Sequence, residues 1–350
     1  MKQAQKLTTL LVIITLIFTS CGKDDDAPQN TAPQIANKEF TVAEDTPHLT
    51  VFGNIAATDA DNDALVYSIT TNDNDLFAIS ETGELSLDTK KELNYGTAQT
   101  HSITVAVTDG TNTSEATITI TVTQVYVHIP DANFKAELVA NTTINTNGNT
   151  EIELTEAIAF TGAINVISKD ISDLTGIEAF INITGLDCGD NNLSSLDVSK
   201  NVALQFLRCL KNNLSNLDVS RNVELILLNC ADNNLSSLDV SANTKLGHIQ
   251  CQVNSLTSLD VSTNTALDFL HCGGNKLSSL DVSVNNILTE LYCQQNSLTS
   301  LLLANGNNTI LSIMTAINNP DLTCIQIDAG FTAPINWQKD ATASYNIICN

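Results

Sequence analysis

A 21-residue pattern of apolar and polar positions recurs through the second half of the chain. In each copy, such as "LRCLKNNLSNLDVSRNVELIL" at residues 207–227, apolar residues alternate with polar ones and each short run ends at an asparagine. A single copy has too few leucines to bury them alone, whereas stacked copies share one continuous apolar interior. The period therefore predicts a solenoid of stacked, mostly β turns.

Four columns of polar residues and cysteines run through the repeat, and each has a structural interpretation. The cysteines take inward positions, which predicts buried thiols acting as small hydrophobic residues rather than a metal or redox site. The two asparagine columns are predicted to satisfy backbone groups at the corners of each turn. The aspartates are predicted to accept hydrogen bonds from the turn, with a weak cation ladder as the alternative. The columns are Cys188, 209, 230, 251, 272 and 293; Asn191, 212, 233, 254, 275 and 296; Asn201, 222, 243, 264 and 285; and Asp197, 218, 239, 260 and 281.

The segment "LQFLRCLKNNL" fits the leucine-rich-repeat pattern LxxLxLxxNxL through Leu204, Leu207, Cys209, Asn212 and Leu214. Residues 126–350 resemble the leucine-rich-repeat proteins common in Bacteroidetes. The resemblance implies an N-terminal cap at 126–185, a solenoid at 186–303 and a C-terminal cap at 304–350. In "VHIPDANFKAELVA", Asp131 can begin a short helix in the first cap, with Phe134 and Leu138 on one face.

Outward positions of the strand before each asparagine do not build the solenoid, so they are free to carry function. They include aromatic and apolar side chains on an otherwise acidic, polar protein, and such exposed rows mark binding surfaces. The alternative is edge packing under a neighbouring loop. The predicted ligand surface consists of Phe206, Arg208, Leu227, His248, Gln250, Phe269, His271 and Tyr292.

The first half of the chain has a period of two. Runs such as "HSITVAVTDG" and "EATITITV" alternate apolar and polar residues and are rich in β-branched side chains, which predicts an antiparallel β-sandwich. From "EFTVAEDTP" to "EATITITV", residues 38–124 resemble a cadherin-like repeat. The fold class is therefore mostly β: an N-terminal cadherin-like β-sandwich, then a 21-residue-period leucine-rich-repeat solenoid with a short helical N-cap and a C-terminal cap.

The resemblance to cadherin repeats implies Ca²⁺ sites in the acidic loops of the sandwich. Asp59 and Asp61 in "TDADND" match the family's DxD loop, Asp109 in "VTDG" lies beside it, and Asn30 is a further ligand from the preceding linker. Carboxylates on alternate turn residues supply the hard oxygens that Ca²⁺ prefers. Turn formation is the alternative role of these residues.

A second family position, Glu44, belongs to the other end of the sandwich. The family's LDxE motif is replaced there by "LNYG", so Asn94 and Gly96 stand where two carboxylates are expected. We therefore expect the Glu44 end not to bind Ca²⁺. Further along, "NTNGNTEIELTE" has the spacing of an EF-hand loop, but asparagine replaces aspartate at its first positions, which favours a hydrogen-bonded turn.

The N-terminus predicts export. Lys2 and Lys6 precede an apolar stretch from Leu7 to Phe18 that is too short to span a bilayer, which is typical of a signal peptide. "FTSC" resembles the bacterial lipobox, which implies a signal peptide at 1–20, lipidation of Cys21 and an acidic tether at 21–37. An ordinary signal peptide with an incidental cysteine is the alternative. "GKDDD" resembles the surface-export signal of Bacteroidetes lipoproteins, which implies a lipid anchor in the outer membrane and exposure at the cell surface.

The charge of the chain limits the classes of partner, and its last two cysteines suggest a disulfide. With 15 Lys and Arg against 39 Asp and Glu, the net charge of −24 disfavours nucleic acid. In an exported protein, Cys324 and Cys349 in the closing cap can form a disulfide. The sequence thus predicts a non-enzymatic adhesion or binding protein for a protein or glycan ligand, with membrane contact only through the lipid anchor. A surface glycan-processing enzyme with paired carboxylates and a purely structural stalk are the alternatives.

Overall fold

A computed structural model describes residues 29–349, over which the chain forms two compact units. The first holds most of the sandwich, and the second holds the solenoid together with residues 41–46 and 92–100. None of the helices within 29–349 is long and apolar enough to cross a membrane. The predicted signal peptide, Cys21 and the start of the tether lie outside the described residues.

The sandwich is built from nine short strands in chain order. They form a four-stranded sheet of order β2-β9-β8-β5, a three-stranded sheet of order β3-β7-β6 and the antiparallel pair β1-β4. Their bounds are β1 Gln34–Ile35, β2 Lys38–Ala43, β3 Val51–Asn54, β4 Ala57–Thr58, β5 Val66–Thr71, β6 Phe77–Ile79, β7 Glu84–Leu87, β8 Thr100–Thr108 and β9 Thr113–Thr123. Burial alternates along β9, where Ala116, Ile118, Ile120 and Val122 face the core. The predicted β-sandwich is confirmed.

Two short helices form the N-terminal cap of the solenoid. Helix α1, Ala132–Ala140, begins at Asp131, whose side chain accepts hydrogen bonds from the backbone N–H groups of Asn133 and Phe134 at 3.0 Å. It buries Phe134 and Leu138, as the sequence predicts. Helix α2, Leu154–Ala159, begins with a capping box formed by Glu153 and Glu156.

The solenoid is a nine-stranded parallel sheet in which most neighbouring strands are related by the 21-residue period. Each three-residue strand buries its middle side chain, as Leu207 and Leu228 show, and turns the other two outward. The sheet comprises β10 Ala163–Asn165, β11 Gly185–Asp187, β12 Phe206–Arg208, β13 Leu227–Asn229, β14 His248–Gln250, β15 Phe269–His271, β17 Glu290–Tyr292, β19 Ile313–Ala316 and β21 Gln338–Lys339. The predicted repeat architecture is confirmed, and pairing extends into both caps.

A second parallel sheet closes the solenoid near its C-terminal end. It consists of β16 Ser279–Asp281, β18 Ser300–Leu302, β20 Cys324–Gln326 and β22 Ser344–Asn346. In this cap Trp337 is buried and donates its indole N–H to the carbonyl of Leu311 at 3.0 Å. A disulfide joins Cys324 to Cys349, with their α-carbons 5.8 Å apart.

Both asparagine columns are buried and bridge successive turns. In the first column, Asn233 donates to the carbonyls of Cys209, Cys230 and Ala231 and accepts from the N–H of Leu214. In the second column each amide donates to two carbonyls of the preceding turn, as the amide of Asn222 does to Val198 and Asn201. The predicted ladders are therefore present. The side-chain oxygens of the second column find no donor within residues 29–349.

The cysteine and aspartate columns also follow their structural interpretations. All six repeat cysteines are free and fully buried, and burial raises the pKa of Cys188, Cys230 and Cys293 to about 12. Each repeat aspartate accepts a hydrogen bond from the N–H of the serine two residues on, as Asp218 does from Ser220 at 2.9 Å. Hydrogen bonds from the backbone and side chain of that serine lower the pKa of Asp218.

Candidate ligand surface and calcium site

Strand register brings the predicted ligand surface together in two adjacent rows. The first residues of successive strands pair with one another, and so do the third residues. The first row holds Phe206, Leu227, His248, Phe269 and Glu290, and the second holds Arg208, Asn229, Gln250, His271 and Tyr292. All eight predicted residues therefore lie on one face of the nine-stranded sheet.

Four of the rings in these rows pack against one another. His248 and Phe269 are stacked, with ring centroids 4.0 Å apart and planes 7° from parallel. Tyr292 packs against both Phe269 at 5.7 Å and His271 at 5.1 Å. Contacts of this kind stabilise ring positions beyond simple burial. The rings form a preorganised cluster.

The rows remain accessible to a partner. Phe206 is 39% exposed, and Leu227, His248, Phe269, His271 and Tyr292 are half-buried. We call these six residues the aromatic strip. Four of its six side chains pack on one another along the sheet, which favours a binding face over edge packing under a loop.

Polar side chains border the aromatic strip. The hydroxyl of Tyr292 donates to the carboxylate of Glu290 at 3.0 Å, and His271 Nε2 lies 3.2 Å from the side-chain amide nitrogen of Gln294. The amide of Asn229 donates to Gln250 in the second row. Glu290 and Gln294 were not predicted as site residues, although the 21-residue spacing places both beside predicted ones.

Burial shifts the acid–base behaviour of the strip. Desolvation lowers the pKa of His248 and of His271 below the usual value for histidine. Desolvation, together with the adjacent Glu290 carboxylate, raises the pKa of Tyr292. At neutral pH both imidazoles and the phenol are therefore uncharged.

In the sandwich, the acidic loop after β4 gathers three carboxylates. One oxygen from each of Asp59, Asp61 and Asp63 lies within 4.8 Å of the others. The Oδ1 atom of Asp59 accepts the N–H groups of Asp61 and Asp63, and these bonds hold the loop in a tight turn. Asp63 was not predicted as a ligand, although it continues the alternation begun by Asp59 and Asp61.

Asn30 and Asp109, the two other ligands predicted at this end of the sandwich, are hydrogen-bonded to each other. Thr31, which follows Asn30, is hydrogen-bonded to the acidic loop. The Asn30 amide donates to Asp109 Oδ2 at 2.8 Å, and the N–H of Thr31 donates to Asp61 Oδ2 at 2.7 Å. Asp109 Oδ1 also accepts the N–H groups of Thr111 and Asn112. The backbone hydrogen bond from Asn112 is the main cause that lowers the pKa of Asp109. The start of the described chain is thus bound to the sandwich.

One atom in this loop fits a cation. The Oδ2 oxygen of Asp59 is buried and has no hydrogen-bond donor among the described residues. A buried carboxylate oxygen without a partner is costly, and a cation would offset that cost. The hard oxygens of Asp59, Asp61 and Asp63 suit Ca²⁺.

The other acidic positions are occupied by the protein's own N–H groups. Glu44 is buried, and its two oxygens accept from the N–H groups of Tyr95 and Val125 at 3.0 Å. In the EF-hand-like loop, Glu156 accepts from the N–H groups of Thr146, Asn147 and Glu153. These oxygens stabilise turns and are not directed toward a common ligand.

The sandwich matches a known domain family. Residues 38–123 match the cadherin domain family. Human protocadherin-24 EC1-2 is similar at 28% identity, covering 27% of this chain and 44% of that one, with a TM-score of 0.26. No curated protein matches the sequence.

The solenoid is similar to internalins of Listeria monocytogenes. The functional domain of InlJ, described as including a cysteine ladder, has 25% identity and a TM-score of 0.28 over 61% of this chain and 60% of that one. Internalin C2 has 15% identity and a TM-score of 0.46 over 62% and 94%. This chain thus spans less than two thirds of protocadherin-24 EC1-2 and of the InlJ domain. It carries a cadherin-like domain followed by a leucine-rich-repeat-like solenoid.

Proposed function

We propose that this chain is a cell-surface adhesion or binding protein whose ligand face is the aromatic strip. The observation that carries the proposal is the packed cluster of His248, Phe269, His271 and Tyr292, half-exposed on a sheet whose other positions serve the repeat. Rigid aromatic groups lose little conformational entropy on binding and commonly dominate interface energies.

The alternatives have less support. A glycan-processing enzyme would need two carboxylates free to act as acid and as base or nucleophile. The carboxylates of the aspartate column are instead held by the N–H groups of Ser199, Ser220, Ser241, Ser262 and Ser283. A purely structural stalk would have no use for an apolar cluster facing solvent.

Capture by immobilised protein tests the ligand face. Full-length chain and a variant with Phe206→Ser, Phe269→Ser and Tyr292→Ser are exposed to the same cell-surface extract and glycan mixture. We expect the native chain to retain a ligand that the variant does not. The matched control replaces three exposed valines outside the strip, Val202, Val223 and Val284, by serine. Equal retention by all three proteins would contradict the proposal.

We also propose that the sandwich is a Ca²⁺-stiffened spacer, with the ion held by Asp59, Asp61 and Asp63 and with Asn30 and Asp109 supporting the site. A ligand that binds only the folded state stabilises it by about 2.7 kcal/mol at a hundredfold excess over Kd. For a domain of this size that is a rise in Tm of about 10–20 °C.

Thermal unfolding of the full chain with millimolar Ca²⁺ or with a chelator measures this rise. The double variant Asp59→Asn, Asp61→Asn should lose it, whereas Glu81→Gln, an exposed charge in the same compact unit, should keep it. If Ca²⁺ changes neither the first thermal transition of the native chain nor the heat measured on titration, the aspartates act only as turn formers.

Lipid anchoring at Cys21 and display at the outer-membrane surface complete the proposal. Cells expressing the native chain should incorporate labelled palmitate into it and hold it in the membrane fraction. Cys21→Ser should abolish both, because the thiol is the group that would carry the lipid and the apolar stretch alone is too short to anchor the chain. Label that persists in Cys21→Ser would show that the anchor lies elsewhere.

A further inference from the structure

Carboxylates surround the aromatic strip. Asp268 and Glu290 lie close enough to His248 to favour its protonated form, and Asp232 does the same for His271. Arg208, at the end of the strip nearest Phe206, is the basic group that opposes them at His248. The protein as a whole is also negatively charged, with a net charge of −24. Charge complementarity at this face therefore favours a positively charged partner.

The rings of the strip already pack on one another. His248 and Phe269 cover one face of each other, and Tyr292 packs against both Phe269 and His271. Strand register places Leu227 next to His248 and Glu290 next to Phe269. The half-exposed rings and Leu227 suit an apolar side chain of a partner, with a carboxylate beside them.

The imidazoles supply a pH response. Around His248 stand Leu227, Phe269, Asp268, Glu290 and Arg208; around His271 stand Gln250, Asp232, Tyr292 and Gln294. Burial already lowers the pKa of both histidines in the free chain. A bound partner that brings no negative charge buries the imidazoles further and lowers their pKa again. Protonation must therefore weaken binding of such a partner, since the complex holds fewer protons than the free chain.

We infer that the ligand of the aromatic strip is a basic protein segment that places an apolar side chain against the rings and a cationic group near Glu290 and Asp268, and that acidification releases it. The inference rests on the proposed function of the strip. The cationic group is attracted to the two carboxylates at neutral pH. As the pH falls below their lowered pKa values, His248 and His271 gain positive charge and repel it.

Two synthetic peptides test the inference with the full chain. One alternates arginine with leucine, and the other has glutamate in place of arginine. At about pH 7.5 we expect the arginine peptide to bind at least about tenfold more tightly, and its affinity to fall at least about tenfold by pH 5.5. The variant His248→Phe, His271→Gln retains a stacked ring and an amide, and its binding should depend little on pH.

Charge variants separate specific from general attraction. Glu290→Gln should weaken the arginine peptide several-fold, whereas Asp321→Asn, an exposed acid outside the strip, removes the same charge and should leave the affinity unchanged. Failure of both peptides to bind, preference for the glutamate peptide, binding of a neutral oligosaccharide in place of either, or pH dependence that survives removal of both histidines would overturn the inference.

The outcomes also separate this inference from the proposed function. If the arginine peptide binds the triple serine variant as tightly as the native chain, the strip is not the ligand face and the proposed function fails. If both peptides bind equally and both are lost in the triple variant, the ligand face stands and only the basic partner is excluded.

Discussion

Replacing Asn233 by alanine is expected to lower the free energy of unfolding by about 3–5 kcal/mol. The buried side chain donates to the carbonyls of Cys209, Cys230 and Ala231 and accepts from the N–H of Leu214, at 3.0 to 3.2 Å. Alanine removes all four bonds and leaves the buried N–H of Leu214 without a partner, while each of the three carbonyls keeps one other donor. An unpaired buried group costs about 1–3 kcal/mol and each of the three other lost bonds about 0.5–1.5 kcal/mol, so the loss exceeds that of an ordinary surface change.

The neighbouring asparagine is a matched control. Asn234 is exposed, and only its backbone is hydrogen-bonded, to Leu214. Asn234→Ala should change the free energy of unfolding by less than about 0.5 kcal/mol. Urea denaturation followed by circular dichroism measures both variants, and comparable midpoints for the two would show that the ladder does not hold the turns together.

The second large effect is expected at the centre of the aromatic strip. Phe269 contacts both His248 and Tyr292, so Phe269→Ala removes its own contact with the ligand and releases two neighbouring rings. A central aromatic residue of this kind contributes about 2 kcal/mol or more to binding, which is about a thirtyfold rise in Kd. Val223→Ser, at an exposed apolar position outside the strip, should leave Kd within about twofold.

Coupling between the rings makes the effect testable in more detail. His248→Ala and Phe269→Ala should not be additive, because the two rings stack at 4.0 Å. Titration of the captured ligand against both single variants and the double variant gives the coupling energy. Full additivity would mean that the ligand meets the rings separately and that the cluster is not one binding unit.

The sequence predicts the solenoid well because every turn repeats the same pattern of apolar positions. A 21-residue period places Leu207, Leu228 and their equivalents on one side of every strand, so a single local error cannot move the interior. The second sheet has no such signal. "SLDV" occurs at residues 237–240 and again at 279–282, yet only the latter contains a strand, which pairs with Ser300–Leu302. Strand pairing there depends on the neighbouring turn, which the motif does not encode.

The candidate sites were predicted in part, for a related reason. Column position identified Phe269 and Tyr292, because the repeat fixes which side chains point outward. Glu290 lies in the same outward column as Phe269. The effect of the Glu290 and Asp268 carboxylates on His248 acts through space across strands, and the repeat pattern does not encode it. In the sandwich, the resemblance to cadherin repeats predicted Asp109 as a ligand. In the structure, the alternation of aspartates along the loop places Asp63 in the cluster with Asp59 and Asp61.

Hydroxyl-radical footprinting of the full chain, alone and with its captured ligand, examines the binding face without altering any residue. Ligand cover should slow oxidation of Phe206, His248, Phe269 and Tyr292, while the exposed Tyr126 and Ile335 react as before. Unchanged oxidation of all four rings in a saturated complex would place the ligand elsewhere and contradict the assignment of this face.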